Sequence, residues 1–213
     1  MTENEQQEYR PISFAGGVLA PYRHVCAFIN SRQEEQRILD PFVQDALATG
    51  DTMMYVVDPR SRASVVSHLR HLGFDASKLL AQRRCEVRTW ADTYLRGGHF
   101  DQDQMIEVLD EVLGVSASPR IRMIIDMGWA AEERVLDQML EYEARANLVQ
   151  PKYAHVAICL YDTAKFGGDV LIDALRTHPM ALIGGVLQVN PFFTPMTEFV
   201  AELRARDRRP ADD

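Results

Sequence analysis

The stretch HVCAFINSRQEEQRILDPFVQDALATGD, residues 24–51, decides the fold. Its first six residues, 24–29, form a continuous apolar run, as expected for a strand that is covered on both faces of a sheet. Asn30 or Ser31 can cap the helix that follows, because their side-chain oxygens accept from the free N–H groups of a first helical turn. Apolar residues then recur at helical spacing to about residue 48, where Thr49-Gly50-Asp51 ends the helix. The stretch therefore predicts one strand-then-helix unit.

The rest of the chain repeats this pattern. Five more strands are predicted at 52–57, 85–90, 122–127, 155–161 and 181–187 (extended to 189 in its longest form). Helical segments are predicted at 31–48, 61–72, 101–113, 131–148, 168–177 and 196–206, with a short element at 76–82. Short strands that alternate with longer helices are typical of parallel βα units. We therefore expect an α/β three-layer sandwich with a mostly parallel six- or seven-stranded sheet. It forms one domain over residues 12–206, with an ordered loop at 12–23, a disordered lead at 1–11 and a disordered tail at 207–213.

Charge and composition exclude several classes of function. The chain has 213 residues and a formal net charge of −8 at pH 7, which disfavours nucleic acids and anionic membrane surfaces as partners. No apolar run approaches the roughly 18 residues of a membrane span, and the polar start MTENEQQEYR has no signal-peptide core, so we expect a cytoplasmic protein. Cys26, Cys85 and Cys159 are far apart, which indicates neither a disulfide framework nor a structural zinc site.

The first strand-to-helix junction lacks the residues of a nucleotide enzyme. In parallel sheets, ligands bind beyond the carboxyl ends of the strands, and the first such junction here is INSRQEEQ, residues 29–36. A phosphate loop would need glycines, a Lys for the phosphates and a Ser or Thr for Mg²⁺, yet residues 24–49 contain no Gly and no Lys. The signatures GxGxxG, GxSxG and HExxH are absent as well. We therefore expect a protein that is not an enzyme, with no catalytic residue, metal or cofactor.

Other junctions carry candidate binding residues. The fourth strand ends near Asp126, where phosphate-loop enzymes place a carboxylate that orients Mg²⁺; here Asp126 is a candidate for a structural cap or for ligand contact. Trp90, Trp129, Tyr161 and Phe166 lie at or just past predicted strand ends. One explanation for these aromatic residues is core packing, and the other is an apolar pocket with a few polar groups. We predict that some of the four line a pocket at the carboxyl edge of the sheet.

Three segments together resemble the MEDS domain, a family named for methanogens, methylotrophs and a dichloromethane-response regulator. Residues 24–51 carry its His-x-Cys opening, its acidic helix start and its Gly-Asp before the second strand. CLYDTAKF at 159–166 carries its Cys-x-Tyr-Asp strand end with a following Phe, and THP at 177–179 carries its His-Pro. The resemblance covers about residues 14–200. It departs at Ile29-Asn30, where an aromatic residue commonly follows the Phe, and in having no attached output module.

The resemblance implies a RecA/KaiC-like fold that has lost its phosphate loop, and a sensory role, with small hydrocarbon derivatives as candidate ligands. Carried over to this chain, the motif positions are His24, Cys26, Cys159, Tyr161, Asp162, Phe166 and His178. For His24 and Cys26, which share a strand face, contact with a ligand or a metal and a hydrogen-bonded core pair remain open. For His178, ligand contact and a loop or helix-end hydrogen bond remain open.

The favoured function is a non-catalytic sensory domain for transcription regulation or related signalling. It would bind a small apolar or amphipathic molecule and signal through a regulatory partner of the kinase, anti-sigma or transcription-factor type, or through self-association. The alternatives are a partner-switching interaction module without a ligand and a degenerate nucleotide-binding enzyme. An apolar stripe in residues 192–203 either covers the chain's own sheet or meets a second copy in a homodimer.

Overall fold

The structure, a computed structural model, describes residues 10–20, 22–114 and 120–206. Its strands are β1 (Ile12–Phe14), β2 (Gly17–Leu19), β3 (His24–Ile29), β4 (Thr52–Val57), β5 (Cys85–Thr89), β6 (Ile121–Asp126), β7 (Val156–Asp162), β8 (Met180–Ile183) and β9 (Val186–Val189). Its α-helices are α1 (Arg32–Ala48), α2 (Arg62–His71), α3 (Ala76–Ala81), α4 (Gln102–Gly114), α5 (Trp129–Glu132), α6 (Leu136–Ala146), α7 (Gly168–Thr177) and α8 (Met196–Arg206). Most of the predicted lead, 1–9, and the whole predicted tail, 207–213, lie outside the described residues.

Seven strands form one sheet in the order β5-β4-β6-β7-β3-β8-β9. All neighbouring pairs are parallel except β8 and β9. Parallel neighbours need crossover helices, and these cover both faces. Side chains of α1, α2 and α3 pack on one face, and those of α4, α6, α7 and α8 on the other. The expected three-layer sandwich with a mostly parallel sheet is confirmed.

Two local predictions were wrong. The single strand predicted at 181–187 is a hairpin of β8 and β9. Gly184 and Gly185 adopt φ of +59° and +81°, angles that glycine reaches without steric cost, and the turn that they form reverses the chain. The loop predicted at 12–23 contains the hairpin of β1 and β2, which packs beside β9 through a hydrogen bond from Leu187 N to Ala15 O of 2.9 Å.

The apolar stripe near the C-terminus divides into two parts. Phe199, Val200 and Leu203 of α8 are buried in the core of their own chain, so for these three the first alternative is confirmed. Phe192 and Phe193 precede the helix and are exposed, Phe192 by 64%. Only this second part remains available to another chain.

Candidate functional site

A groove of about 250 Å³ opens at the carboxyl edge of the sheet, between α1 and α2. It lies there because β3, β4, β6 and β7 are parallel and end at the same edge. Its apolar floor is formed by Ile29, Leu39, Val43, Tyr55, Val57, Val65, Ile124 and Leu160; its polar rim is formed by Ser31, Arg32, Glu35, Gln36, Asp40, Ser61, Ser64, His68, Asp126, Asp162 and Lys165. The groove thus combines an apolar base with charges of both signs.

Carboxylates at the strand ends set the electrostatics of the groove. Asp126 accepts from Gly128 N at 2.9 Å, and Asp162 accepts from Ala164 N at 2.9 Å. Burial is the main reason that the pKa of Asp126 is raised, and the Asp58 and Asp162 charges add to it, whereas the Gly128 N–H and Lys165 oppose it. Burial also raises the pKa of Glu35, on the opposite wall. Asp126, for which a structural cap and ligand contact were both left open, accepts from Gly128 N and also lines the groove.

The start of α1 is occupied by a carboxylate of the chain itself. Glu34 accepts from Asn30 N at 2.8 Å and from Asn30 Nδ2 at 3.1 Å, while Glu34 N donates to Ser31 Oγ at 3.2 Å. Free N–H groups at a helix start are what a phosphate would use. Here the Glu34 N–H is already paired with Ser31 Oγ, and the Asn30 N–H just before the helix is paired with the Glu34 carboxylate.

The four aromatic residues expected at a pocket are on the other face of the sheet. Trp90 and Trp129 are buried in the helix-covered core, where Trp90 Nε1 donates to Asp126 O at 2.9 Å and the Trp129 ring stacks 4.6 Å from Tyr94. Tyr161 and Phe166 are buried beside them with ring centroids 5.3 Å apart. None of the four side chains lines the groove. The alternation of side chains along the strands, and the start of the helix after β6, direct them toward α6 and α7 on the opposite face of the sheet.

A second polar centre lies inside that same layer. His24 and His178, both proposed from the sequence, meet with ring centroids 4.0 Å apart. Glu143 of α6 lies between them, with Oε2 at 3.0 Å from His24 Nε2 and 3.1 Å from His178 Nε2. Cys159 Sγ is 3.5 Å from Glu143 Oε2 and 3.6 Å from His24 Nε2. We call these four residues the buried cluster, since all are nearly inaccessible to solvent.

Ordinary physical causes shift the pKa values of the buried cluster. Burial alone would raise the pKa of Glu143, but the two imidazoles outweigh it and lower that pKa to about 2. Burial, followed by the charge of His24, lowers the pKa of His178. Burial raises the pKa of the Cys159 thiol well above its usual range, and the Glu143 charge adds to the shift.

Cys26 does not join the buried cluster. It is the register partner of Cys159 on β3 and equally buried, but its Sγ donates to Met180 O at 3.7 Å. Glu143, by contrast, was missed by the sequence analysis. A signal existed, because Glu143 follows the inward-facing Met139 and Leu140 by four and three residues and so shares their helix face.

A small pocket of about 50 Å³ adjoins the buried cluster. His24, Glu143 and Cys159 contribute to its wall, together with Met54, Val56, Arg88, Thr93, Tyr94, Met105, Val108, Leu109, Met123, Ile125, Tyr142, Ala146 and Gln150. The side chains that line it are mainly apolar. Among the described residues, this pocket and the carboxyl-edge groove lie on opposite faces of the sheet.

These features define a three-layer α/β domain with a groove at the carboxyl edge and no phosphate loop. The sequence profile described as MEthanogen/methylotroph, DcmR Sensory domain matches residues 23–179. The chain belongs to this family, MEDS. It is also 22% identical over 172 residues to the transcriptional repressor DcmR of Methylorubrum extorquens, an alignment that covers 77% of this chain and 61% of that protein. The chain thus matches less than two thirds of the relative's length.

Family and relative together support a regulatory role. No helix among the described residues is long and apolar enough to cross a membrane.

Proposed function

We propose that this chain is a non-catalytic sensory domain that binds a small amphipathic molecule in the carboxyl-edge groove. The observation that carries the proposal is the groove itself, with its apolar floor and charged rim at the edge where parallel sheets bind ligands. Membership of a sensory-domain family supports it. The start of α1 argues against nucleotide chemistry, because Ser31 Oγ takes the Glu34 N–H and the Glu34 carboxylate, placed where a phosphate would sit, accepts from Asn30 N.

We propose that the signal reaches a regulatory partner chain, in the cytoplasm, or a second copy of this chain. Large apolar side chains are exposed along 183–193, and β9 is the last strand of the sheet. Exposed apolar groups clustered in this way mark interaction surfaces. The members with the largest exposure are Val186 (56%), Val189 (64%) and Phe192 (64%).

The groove can be tested with a pair of tryptophan variants on α2. Ser64 is exposed and lines the groove, whereas Ser67 is exposed on the same helix and does not. Freshly purified protein would be examined by native mass spectrometry for a retained molecule. It would then be screened by thermal unfolding against short-chain alcohols, amines and halogenated alkanes, which represent the hydrocarbon derivatives that the family resemblance implies.

A ligand at 100 times its Kd stabilises the folded state by about 2.7 kcal/mol, which raises Tm by roughly 5–10 °C in a domain of this size. We expect such a shift for the wild type and for Ser67→Trp, and a much smaller one for Ser64→Trp. An equal shift in both variants would place the molecule elsewhere, with the small pocket beside the buried cluster as the next candidate. No retained molecule and no shift with any compound would contradict ligand sensing and favour the partner-switching alternative.

A further inference from the structure

One imidazole nitrogen of the buried cluster, His178 Nε2, is directed at a carboxylate oxygen inside the core. His178 is fully buried, and its Nε2 has no hydrogen-bond partner among the described residues, although Glu143 Oε2 lies 3.1 Å away. The other nitrogen of His178, Nδ1, lies 2.8 Å from Ala174 O, which can only accept, and 2.9 Å from Thr177 Oγ1, which can donate or accept. When Nδ1 of the neutral ring donates to Ala174 O, Nε2 is an acceptor that faces a carboxylate oxygen, which is unfavourable unless a cation lies between them.

His24 is oriented in the same way. Asn147 Nδ2 donates to three carbonyl oxygens, those of Glu143, Ala144 and Thr177, at 2.7–3.2 Å. Its Oδ1 must therefore face His24 Nδ1, at 3.0 Å, and accept the proton from it. The remaining nitrogen, Nε2, faces Glu143 and Cys159. An outer hydrogen bond that fixes the tautomer and ring direction is typical of a metal-binding histidine.

The spacing of the four donor atoms suits a tetrahedral ion. They all lie within 4.8 Å of one another, and the close pairs are separated by 3.0–3.6 Å. Zinc bonds of about 2.0–2.1 Å to nitrogen and oxygen and about 2.3 Å to sulfur correspond to tetrahedral edges of roughly 3.3–3.6 Å. The close pairs lie near these edges, whereas the wider pairs, within 4.8 Å, would have to contract as an ion is enclosed.

We propose that His24, Glu143, Cys159 and His178 bind one divalent metal ion of the zinc class. Two imidazoles and a thiolate favour zinc-like transition metals, whereas Mg²⁺ and Ca²⁺ prefer oxygen ligands. The ion deprotonates the thiol when it binds, since the thiolate is the ligand. This proposal concerns the sheet face opposite the groove and does not rest on the proposed function.

The site is structural in type. Four protein ligands fill a tetrahedral shell, as in structural zinc sites, whereas catalytic sites keep one position open. The ligands come from β3, α6, β7 and the end of α7, so the ion would fix two helices onto two neighbouring strands. Because such a site is assembled only in the folded chain, metal binding adds to folding stability.

Cobalt provides the test, with the two register-paired cysteines as variant and control. Wild type, Cys159→Ala and Cys26→Ala, each stripped with chelator and dialysed, would be titrated with Co²⁺ and followed by absorption. We expect one equivalent to bind to the wild type and to Cys26→Ala with a thiolate-to-cobalt charge-transfer band. Cys159→Ala should lose that band and bind at least ten-fold more weakly. X-ray absorption of the zinc-loaded wild type needs no variant, and should show one sulfur at about 2.3 Å and nitrogen or oxygen at about 2.0–2.1 Å.

Several outcomes would overturn the proposal. The first is that the wild type binds no cobalt at tens of micromolar, and the second is that Cys159→Ala retains the charge-transfer band. The third is that Cys26→Ala alone loses that band, and the fourth is that the absorption spectrum of the zinc-loaded protein shows no sulfur ligand. Absence of bound cobalt would mean that protons hold the buried cluster, as a histidine–glutamate ion pair. A band that does not depend on Cys159 would place the metal at another thiolate. If Cys159→Ala does not fold, Glu143→Gln replaces it, with weaker binding and a retained charge-transfer band as the expected result, and unchanged affinity as the contrary one.

Discussion

Asp51 is expected to be the most sensitive polar residue of the fold. A single carboxylate oxygen, Asp51 Oδ2, accepts from Arg120 Nε and Nη2 at 2.9 and 2.7 Å and from Arg122 Nε at 2.7 Å. Both guanidinium groups are at most 1% exposed, and Asp51 is 4% exposed. The network ties the turn after α1 to the start of β6. It supplies a physical reason for the Asp of the Gly50-Asp51 pair that precedes β4.

The substitution Asp51→Asn keeps the shape and removes the charge that two buried cations need. Removing one partner of a buried ion pair costs roughly 3–5 kcal/mol, which lowers Tm by roughly 6–20 °C at about 2–4 °C per kcal/mol. Asp45→Asn is the matched control, since Asp45 binds the same Arg122 at 2.7 Å but has a side chain that is 49% exposed. Its loss should stay below about 1 kcal/mol.

Urea and thermal unfolding followed by circular dichroism would measure both variants. The reasoning is refuted if Asp51→Asn loses no more stability than Asp45→Asn, or less than about 1 kcal/mol. Either result would mean that the two arginines are solvated or paired without Asp51.

Three further predictions concern the groove, the C-terminal stripe and nucleotides. Burial raises the folded-state pKa of Asp126 above its ordinary 3.8, so ionisation of Asp126 opposes folding at neutral pH. Asp126→Asn should therefore be more stable than wild type at pH 7, by a margin that disappears as the pH falls below about 3.8. Unfolding measured at several pH values would test this, and a margin independent of pH would contradict it. Phe199→Asp should unfold the chain, because Phe199 is 0% exposed. Phe192→Asp should keep the circular dichroism of the wild type and dissociate any dimer that sedimentation detects. A wild type that is monomeric at tens of micromolar would contradict self-association. Isothermal titration with Mg-ATP should show no binding as tight as a Kd of about 1 µM, which corresponds to about −8 kcal/mol. Binding of that strength would contradict the inference that the 29–36 junction does not bind nucleotides.

The central layer of the fold was predictable because its signals are local. Several of the parallel strands, such as β4 and β7, are largely apolar runs. Capping residues such as Ser31 mark where helices begin, as its hydrogen bond from Glu34 N confirms. The hairpin at Gly184-Gly185 was missed because two apolar runs joined by glycines have the same composition as one long strand. Strand direction at that point depends on backbone conformation, which composition does not report.

The candidate site was predictable only in part, because its residues meet through tertiary packing. His24 and Glu143 are 119 residues apart and His24 and Cys159 are 135 apart, so no spacing rule connects them. The resemblance supplied His24, Cys159 and His178 one by one, whereas their meeting around Glu143 required the parallel pairing of β3 with β7. The aromatic prediction failed to locate the groove for a related reason, since sequence position at a strand end does not say which face of the sheet a side chain occupies.

The groove and the buried cluster are built on the same strands, so binding at one can be tested for its effect on affinity at the other. β3 runs from His24 in the buried cluster to Ile29 in the groove floor, and β7 runs from Cys159 in the cluster past Leu160 to Asp162 on the groove rim. Two sites on the same rigid strands are coupled only to the extent that binding at one changes the affinity at the other, and the factor is the same in both directions. A metal-stripped and a zinc-loaded sample with equal affinity for a groove ligand would show that the ion serves stability alone. A five-fold or larger difference, equivalent to about 1 kcal/mol or more, would make the ion part of the sensing mechanism.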